Sequence, residues 1–333
     1  MHRYIFWGAM ILILVIIGLI VDQIFYRIIR LFIEKQAANT VRLAVFCIVV
    51  IAIVANILIG HFITRLRINI NNVVVESERL PKAFDGFKVA HISDFHIDSF
   101  DPDKEIGFVE EIADKILAEH PDIICFTGDL VTIRSAQAIP FRKILGKLSS
   151  TGIPVYSIMG NHDYADYVWN FDESRREIDR DSLRTIQKEA GWTVLDNEHK
   201  WETRGNDSIR IAGVENIGEP PFTTYGNLSE AIKSDSDSNP EPYTILLSHN
   251  PTHWRSEVVP STYIDLTLSG HTHAMQFMIG KWSPSKWKYK EFAGLYKEKD
   301  QYLYVNSGLG CTGPTIRIGI KPEITIIKLK SIQ

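Results

Sequence analysis

Cysteine is scarce in this chain. Cys47, Cys125 and Cys311 lie far apart, with neither the close spacing of a thiolate metal site nor the density of a disulfide scaffold. Cys47 falls in a lipid-like segment and Cys125 in an apolar strand, so burial is the role their surroundings indicate. An excess of positive charge is also missing. Lys and Arg number 36 against 40 Asp and Glu, for a formal charge of −4, which excludes a basic face of the kind that holds nucleic acid. From about residue 67 onward long uncharged runs disappear, so any membrane-spanning segment lies upstream of that point.

Two such runs are present there. Residues 4–21 carry no charge and residues 43–64 carry none apart from His61, each about the length that crosses hydrocarbon at about 1.5 Å per residue. They predict two transmembrane helices. A cleaved signal peptide is the rival for the first, but only Arg3 precedes it and no small-residue cleavage pattern follows before Asp22. A buried core hairpin is the other rival, and two charge-free stretches of this length are rare in a soluble fold. Residues 24–33 set Arg27 and Arg30 among apolar side chains, which suits a helix at headgroup level or a plain extension of the first span. Asn56 and His61 read as polar residues tolerated at a helix interface. Two crossings return the chain to its starting side, and Lys and Arg are balanced between the connecting loop and the flanks, so charge assigns no side.

The 333 residues then leave room for one large domain behind an anchor. The expected division is an anchor over 1–66, a connecting segment over 67–86 and the domain over 87–333. Alternating or continuous apolar patterns predict strands at 67–75, 88–92, 122–127, 153–159, 192–196, 208–214, 243–247, 264–268, 302–306, 315–320 and 323–329. Helical periodicity predicts helices at 103–120, 141–149 and 176–190. Strands alternating with helices, then strand-rich sequence, indicate an α/β fold of two packed sheets with flanking helices.

Residues able to hold a metal stand just past the ends of five of these strands: Asp94 and His96, Asp129, Asn161 with His162 and Asp163, His249, and His271 with His273. One Asp-x-His pair is weak evidence, but ligand sites form in the crevice outside strand ends, where five such loops can converge. Asp94, His96, Asp129, Asn161, His249, His271 and His273 supply more oxygen and nitrogen atoms than one tetrahedral ion uses. With one carboxylate shared they divide into two sets, as for ions about 3.5–4 Å apart. Imidazole, carboxylate and amide together favour manganese, iron, zinc or nickel over calcium and magnesium. Two such ions would activate a bridging water as hydroxide and stabilise charge growing on phosphoryl oxygens.

Through Asp94-Phe95-His96, Gly128-Asp129, Gly160-Asn161-His162-Asp163, Ser248-His249-Asn250-Pro251 and Gly270-His271-Thr272-His273, the chain resembles the calcineurin-like metallophosphoesterases, in particular their bacterial membrane-associated or exported branch. The likeness runs from about residue 68 to the C-terminus, and Asn306-Ser307-Gly308-Leu309-Gly310, Arg317 and Pro322-Glu323-Ile324 resemble that branch's ending. It implies a four-layer α-β-β-α sandwich of two mixed sheets and a bacterial membrane location, with a lean towards the extracytoplasmic side. It further implies that Asp94, His96, Asp129 and His273 hold one divalent ion and Asp129, Asn161, His249 and His271 the other. His162 would then contact phosphate and protonate the leaving group, with Asp163 orienting its imidazole. Asp98 supports the first site or is a solvated turn carboxylate. The chain departs from the family at Ala274-Met275, where many relatives carry two glycines; glycine lets backbone approach a ligand closely, so the pocket floor is expected to differ.

The remaining histidines have plainer readings: His91 as a core residue, and His120, His199 and His253 as surface residues. The loop 234–239 reads as solvated, and Asp166 to Trp169 as a border of the cleft or plain surface. Trp282, Trp287, Tyr289 and Tyr296 interleave with six lysines over 281–299, which suits a headgroup zone, an anionic lipid or an ordinary packed loop. The expected activity is metal-dependent hydrolysis of a phosphate ester or anhydride, with a phosphodiester or lipid-linked pyrophosphate as substrate and the bilayer as partner. A non-catalytic scaffold on the same fold is the alternative, and a transporter would need polar residues organised within the helices.

Overall fold

The computed structural model describes residues 18–219, 223–233 and 241–333 and divides after Ile59 into two units. In the first, helix α1 is described over residues 18–29 and a turn leads into α2, Lys35–Phe62. Residues 24–33 thus extend the first helix as far as residue 29 and do not form a separate one. Leu43, Ile48 and Ile51 on α2 are exposed. Among the described residues α2 is the one helix long and apolar enough to cross a membrane, spanning about 40 Å. Most of the apolar run 4–21 lies outside the described residues, as does the loop 234–239.

The second unit, Gly60–Gln333, is an α/β fold of two mixed six-stranded sheets. The first has the order β1-β12-β2-β3-β4-β5, with β1 Asn69–Ser77, β2 Lys88–Ile92, β3 Ile123–Phe126, β4 Val155–Ser157, β5 Thr193–Val194 and β12 Glu323–Ser331. Strands β2 to β5 run parallel, β12 is antiparallel to β2, and β1 lies parallel to β12. The second sheet has the order β10-β11-β9-β8-β7-β6. Its strands are β6 Glu198–Arg204, β7 Asp207–Gly213, β8 Thr244–Leu247, β9 Leu266–Ser269, β10 Gly294–Glu298 and β11 Gln301–Val305. Here β7, β8, β9 and β11 run parallel, with antiparallel partners at both edges.

Strands that are apolar on both faces dictate the layering. Along β2 and β3, Ala90, Ile92, Ile124 and Phe126 point to the helical side. Val89, Ile123 and Cys125 meet Ile211, Ile245, Leu247, Leu266 and Leu268 of the other sheet. Each such buried aliphatic or aromatic side chain stabilises the fold by about 1.5–3 kcal/mol. Helix α3, Ile106–Ala118, buries Val109, Ile112, Ala113 and Ile116, one stripe at helical spacing. It ends where His120 takes a left-handed φ of 48° ahead of Pro121. Helices α4, Arg142–Ser149, and α5, Glu173–Glu189, complete that layer. Ala212, Leu246, Trp254, Val258 and Leu303 form the core outside the second sheet.

Three sequence expectations need correction. Residues 67–86 are more than a connector, because β1 pairs over nine positions with β12. Residues 315–320 form no strand and make a single bridge, Ile318 to Phe277. The edge strands β6 and β10 went unpredicted, since both alternate between exposed and half-buried positions and carry several charges.

Candidate metal centre

Parallel neighbours end on the same edge of a sheet, so β2, β3 and β4 deliver their loops side by side, and β8 and β9 do the same. Backbone bonds tie the loops together. Asp94 N–H donates to the Gly128 carbonyl at 2.9 Å, His96 N–H to that of Asp129 at 3.0 Å, and Gly270 N–H to that of His249 at 3.0 Å. From the far end of the chain, Leu309 and Gly310 donate to the carbonyls of Ser93 and Asp94 at 3.0 and 2.9 Å. Glycine is required where the loops touch: a Cβ at Gly160 would strike Asp129 Oδ1, and one at Gly270 would strike Asp94 Oδ2.

All seven residues anticipated as ligands meet here. Three groups each place their ligand atoms within 4.8 Å of one another: Asp94, His96 and His273; His96, Asp129 and His162; Asp129, His249 and His271. Asp94 Oδ1 lies 3.2 Å from His273 Nε2, and Asp129 Oδ2 lies 3.2 Å from His249 Nε2 and 3.5 Å from His96 Nε2. Asn161 Oδ1 is 2.8 Å from His271 Nδ1 and 3.1 Å from His249 Nε2. Asp94, His96, Asp129, His249 and His273 are buried, while Asn161, His162 and His271 are partly exposed and form the open side.

The backbone is strained at this point. Asp94, His96, Asp129, His271 and His273 all have left-handed φ, from 36° to 71°, which L-residues rarely adopt. Strain concentrated on the residues that converge marks a functional site. The left-handed run continues through Ala274, Met275 and Gln276, at φ 48°, 50° and 56°. Ala274 and Met275 thus hold a glycine-like conformation at a steric cost. Met275 is 52% exposed and has little packing to lose, so Met275→Gly is expected to raise unfolding free energy by about 1 kcal/mol. Urea unfolding measures this, and a loss of stability would show that Met275 packing outweighs its backbone strain.

Hydrogen bonds show what the site accepts. His249 Nδ1–H donates to the Thr127 carbonyl at 2.7 Å, which leaves Nε2 as the ring atom facing the Asp129 and Asn161 oxygens. His96 Nε2 is buried without a hydrogen-bond partner. Burial alone would raise both carboxyls. The His273 imidazole beside Asp94, and those of His249 and His162 beside Asp129, outweigh it and hold both below the usual carboxylate range. Burial lowers His249, but Asp129 and Asp94 together bring it up to about 9. His271, buried beside His249, is pushed down to about 3. Two ionised carboxylates buried together hold positive charge in the site, a proton on His249 or a cation that displaces it, and two carboxylates, one amide oxygen and four imidazoles suit divalent transition metals.

The groups that hold these side chains were mostly invisible in the sequence. Thr132 Oγ1 is 3.0 Å from His96 Nδ1, its carbonyl accepts from His162 Nδ1 at 2.7 Å, and its N–H donates to Asp98 at 2.9 Å. Asp98 therefore supports the site through Thr132. Tyr289 OH sits 3.0 Å from His271 Nε2, and Tyr167 OH accepts from Asn161 Nδ2 at 2.9 Å, placing the 166–169 stretch beside the centre. The orienting task expected of Asp163 belongs to the Thr132 carbonyl. The Asp163 side chain instead accepts from the N–H groups of Asp129, Gly160 and Val131 at 2.7–3.1 Å, amides that it satisfies from across two loops.

Among the other histidines, His253 bonds Ser248 and Glu257, and His199 donates to the Ala231 carbonyl. His91 is fully buried and 3.0 Å from Thr127 Oγ1. Burial pushes it down to about 4. The unfolded chain protonates His91 near pH 6.5, so unfolding takes up a proton between about pH 6.5 and 4. Stability from this residue is complete above that window and falls by about 3 kcal/mol as pH drops through it. Urea unfolding of parent and His91→Gln across the window tests this; equal pH slopes would refute it.

The pattern that defines the calcineurin-like phosphoesterases matches residues 87–275. An uncharacterized metallophosphoesterase of Bacillus subtilis, YkuE, is 29% identical over 272 residues, 77% of this chain and 84% of its own length. UDP-2,3-diacylglucosamine pyrophosphatase LpxG of Chlamydia trachomatis is 27% identical over 327 residues, 82% of this chain and 94% of its own. A Danio rerio protein named transmembrane protein with metallophosphoesterase domain is 25% identical, over 89% of this chain and 65% of its own. With over half its length inside the family pattern and carboxylates, amide and imidazoles gathered at the strand ends, this chain belongs to the calcineurin-like phosphoesterases and is a metal-dependent phosphohydrolase.

Proposed function

We propose that the chain is a membrane-anchored, dinuclear-metal phosphoesterase that cleaves a phosphodiester or a lipid-linked pyrophosphate. Asp94, His96, Asp129 and His273 hold one divalent ion of the manganese, iron, zinc or nickel kind. Asp129, Asn161, His249 and His271 hold the other, with Asp129 shared. When bound, such a pair supplies Lewis acidity towards phosphoryl oxygens and lowers the pKa of water at neutral pH.

The chain's own residues do the rest. Asn161, His162 and His271 border the open side, where substrate phosphate enters. His162, held at Nδ1 by Thr132, turns Nε2 to the leaving oxygen and carries the proton it receives. Asp163 keeps the 129–131 and 160 turns in register beneath that ring. The observation that carries this reading is the meeting of all seven donors from five separate loops.

Residues 1–66 form the anchor, with two spans, and the catalytic domain follows with β1 as the edge of its first sheet. The apolar length of α2 supports this, as does the transmembrane relative. For the substrate, support comes from two LpxG relatives whose name specifies a lipid-bearing nucleotide pyrophosphate. A panel of bis-p-nitrophenyl phosphate, p-nitrophenyl phosphate, phospholipids and a diacylglucosamine nucleotide pyrophosphate, tested on the detergent-solubilised full chain with manganese, decides the matter. Highest kcat/KM on the pyrophosphate lipid is expected. Preference for the soluble monoester would overturn the substrate, and an absence of metal-dependent turnover on every member would overturn the activity.

A further inference from the structure

The segment after His273 has two unlike sides. Its inner side is fastened to the metal centre: Ser283 Oγ donates to the Ala274 carbonyl at 2.6 Å, Ser285 and Tyr289 are buried, and Tyr289 OH meets His271. On the outer side Ile279 and Trp287 are 65% and 80% exposed, Trp282 is partly exposed, and Lys281, Lys286, Lys288 and Lys290 point to solvent. The two tryptophan rings pack edge to face at 5.5 Å, and no Asp or Glu occurs in residues 274–290. Glu219 lies 4.0 Å from Lys288, and Glu291, next in the chain after Lys290, is buried and paired with Arg255.

The same segment is joined to the point where the chain leaves α2. Met278 N–H donates to the Ile318 carbonyl and Ile318 N–H to that of Gln276, both at 2.9 Å. His61 Nδ1 in turn donates to the Thr315 carbonyl at 2.8 Å, and Arg317 N–H donates to that of Gly60 at 3.3 Å. Gly60 and His61, the first residues of the second unit, are thereby tied through residues 315–318 to an exposed patch of tryptophan, isoleucine and lysine.

We propose that residues 277–290 are a docking surface for the anionic headgroup layer of the bilayer, one that turns the metal centre towards membrane-borne substrate. This rests on the anchored enzyme proposed above. Tryptophan settles at headgroup depth, with an apolar body and a polar tip, and exposed lysines in excess over acidic groups are drawn to anionic lipid. Through Tyr289 and His271 the surface is continuous with the open side of the centre.

The test uses the full chain in nanodiscs of brominated phosphatidylcholine, with or without phosphatidylglycerol. Emission from Trp287 is the difference between the parent and Trp287→Tyr, and Trp201→Tyr, on the β6 edge at the other end of its sheet, gives the control. With phosphatidylglycerol present, Trp287 emission is expected to be quenched about twofold and Trp201 emission unchanged. Lys286→Glu combined with Lys290→Glu should release the quenching, as should raised salt. In a chain that resists extraction by alkaline carbonate, unquenched Trp287 emission would overturn the docking alone. Quenching indifferent to phosphatidylglycerol would overturn the anionic partner, and protection of Trp287 by a second copy, seen as a doubled mass per disc, would replace lipid with self-association. Extraction of the chain by carbonate would overturn the anchor and the docking together.

Discussion

Asp129→Asn is expected to lower kcat/KM by about 10³-fold or more, which is about 4 kcal/mol of transition-state stabilisation. The change keeps the size of the side chain, so the cause is charge. Asp129 Oδ2 faces both His249 and His96, and Oδ1 accepts the His162 N–H at 2.8 Å. One carboxylate therefore faces imidazoles from both ligand sets and also fixes the backbone of the proposed acid. An amide lacks the negative charge that these imidazoles and a cation between them require, and it turns an N–H towards ring nitrogens where the carboxylate offered an oxygen. Metal content should fall from two ions per chain to one or fewer, as read by elemental analysis after gel filtration. Full activity together with two retained ions would rule out Asp129 as the shared ligand. A variant that keeps its metals but loses turnover would place the role of Asp129 on substrate instead.

The candidate ligand residues were legible because each stands two to four positions past a strand that is apolar on both faces, and that pattern does not depend on tertiary context. The division into two sheets was legible for the same reason. Thr132 was not, because it acts on His162 through its carbonyl and on Asp98 through its N–H, groups every residue but proline carries, and its hydroxyl meets His96 only once the fold brings the two loops together. Tyr289 lies in a stretch that reads as loop, and only the fold brings it against His271. Asp163 was recognised by its neighbours in the motif, but its partners are backbone amides of another loop, which sequence does not show. Edge strands failed for a different reason. On β6 the residues Glu198 to Arg204 include four with ionisable groups besides His199, and pairing with β7 along one side only leaves little burial to print a pattern.

His162→Ala separates proton transfer from metal binding. The Nδ1–H bond to the Thr132 carbonyl leaves Nε2 as the one ring atom that can serve substrate, and Tyr167 packs against the ring at 4.6 Å between centroids. General acid catalysis contributes roughly 10²–10⁴-fold where the leaving group is a poor one. An alkyl phosphate ester should therefore lose about that factor in kcat, while a p-nitrophenyl ester, whose leaving group departs without protonation, should lose about tenfold or less. Burial lowers the His162 pKa below the ordinary imidazole range, and nearby cations would lower it further. The protonated form is then favoured as pH falls, so the parent's advantage over the variant on alkyl esters should shrink as pH rises through neutrality. Equal losses on both esters at every pH, with two ions retained, would mean that the imidazole binds phosphate without passing it a proton.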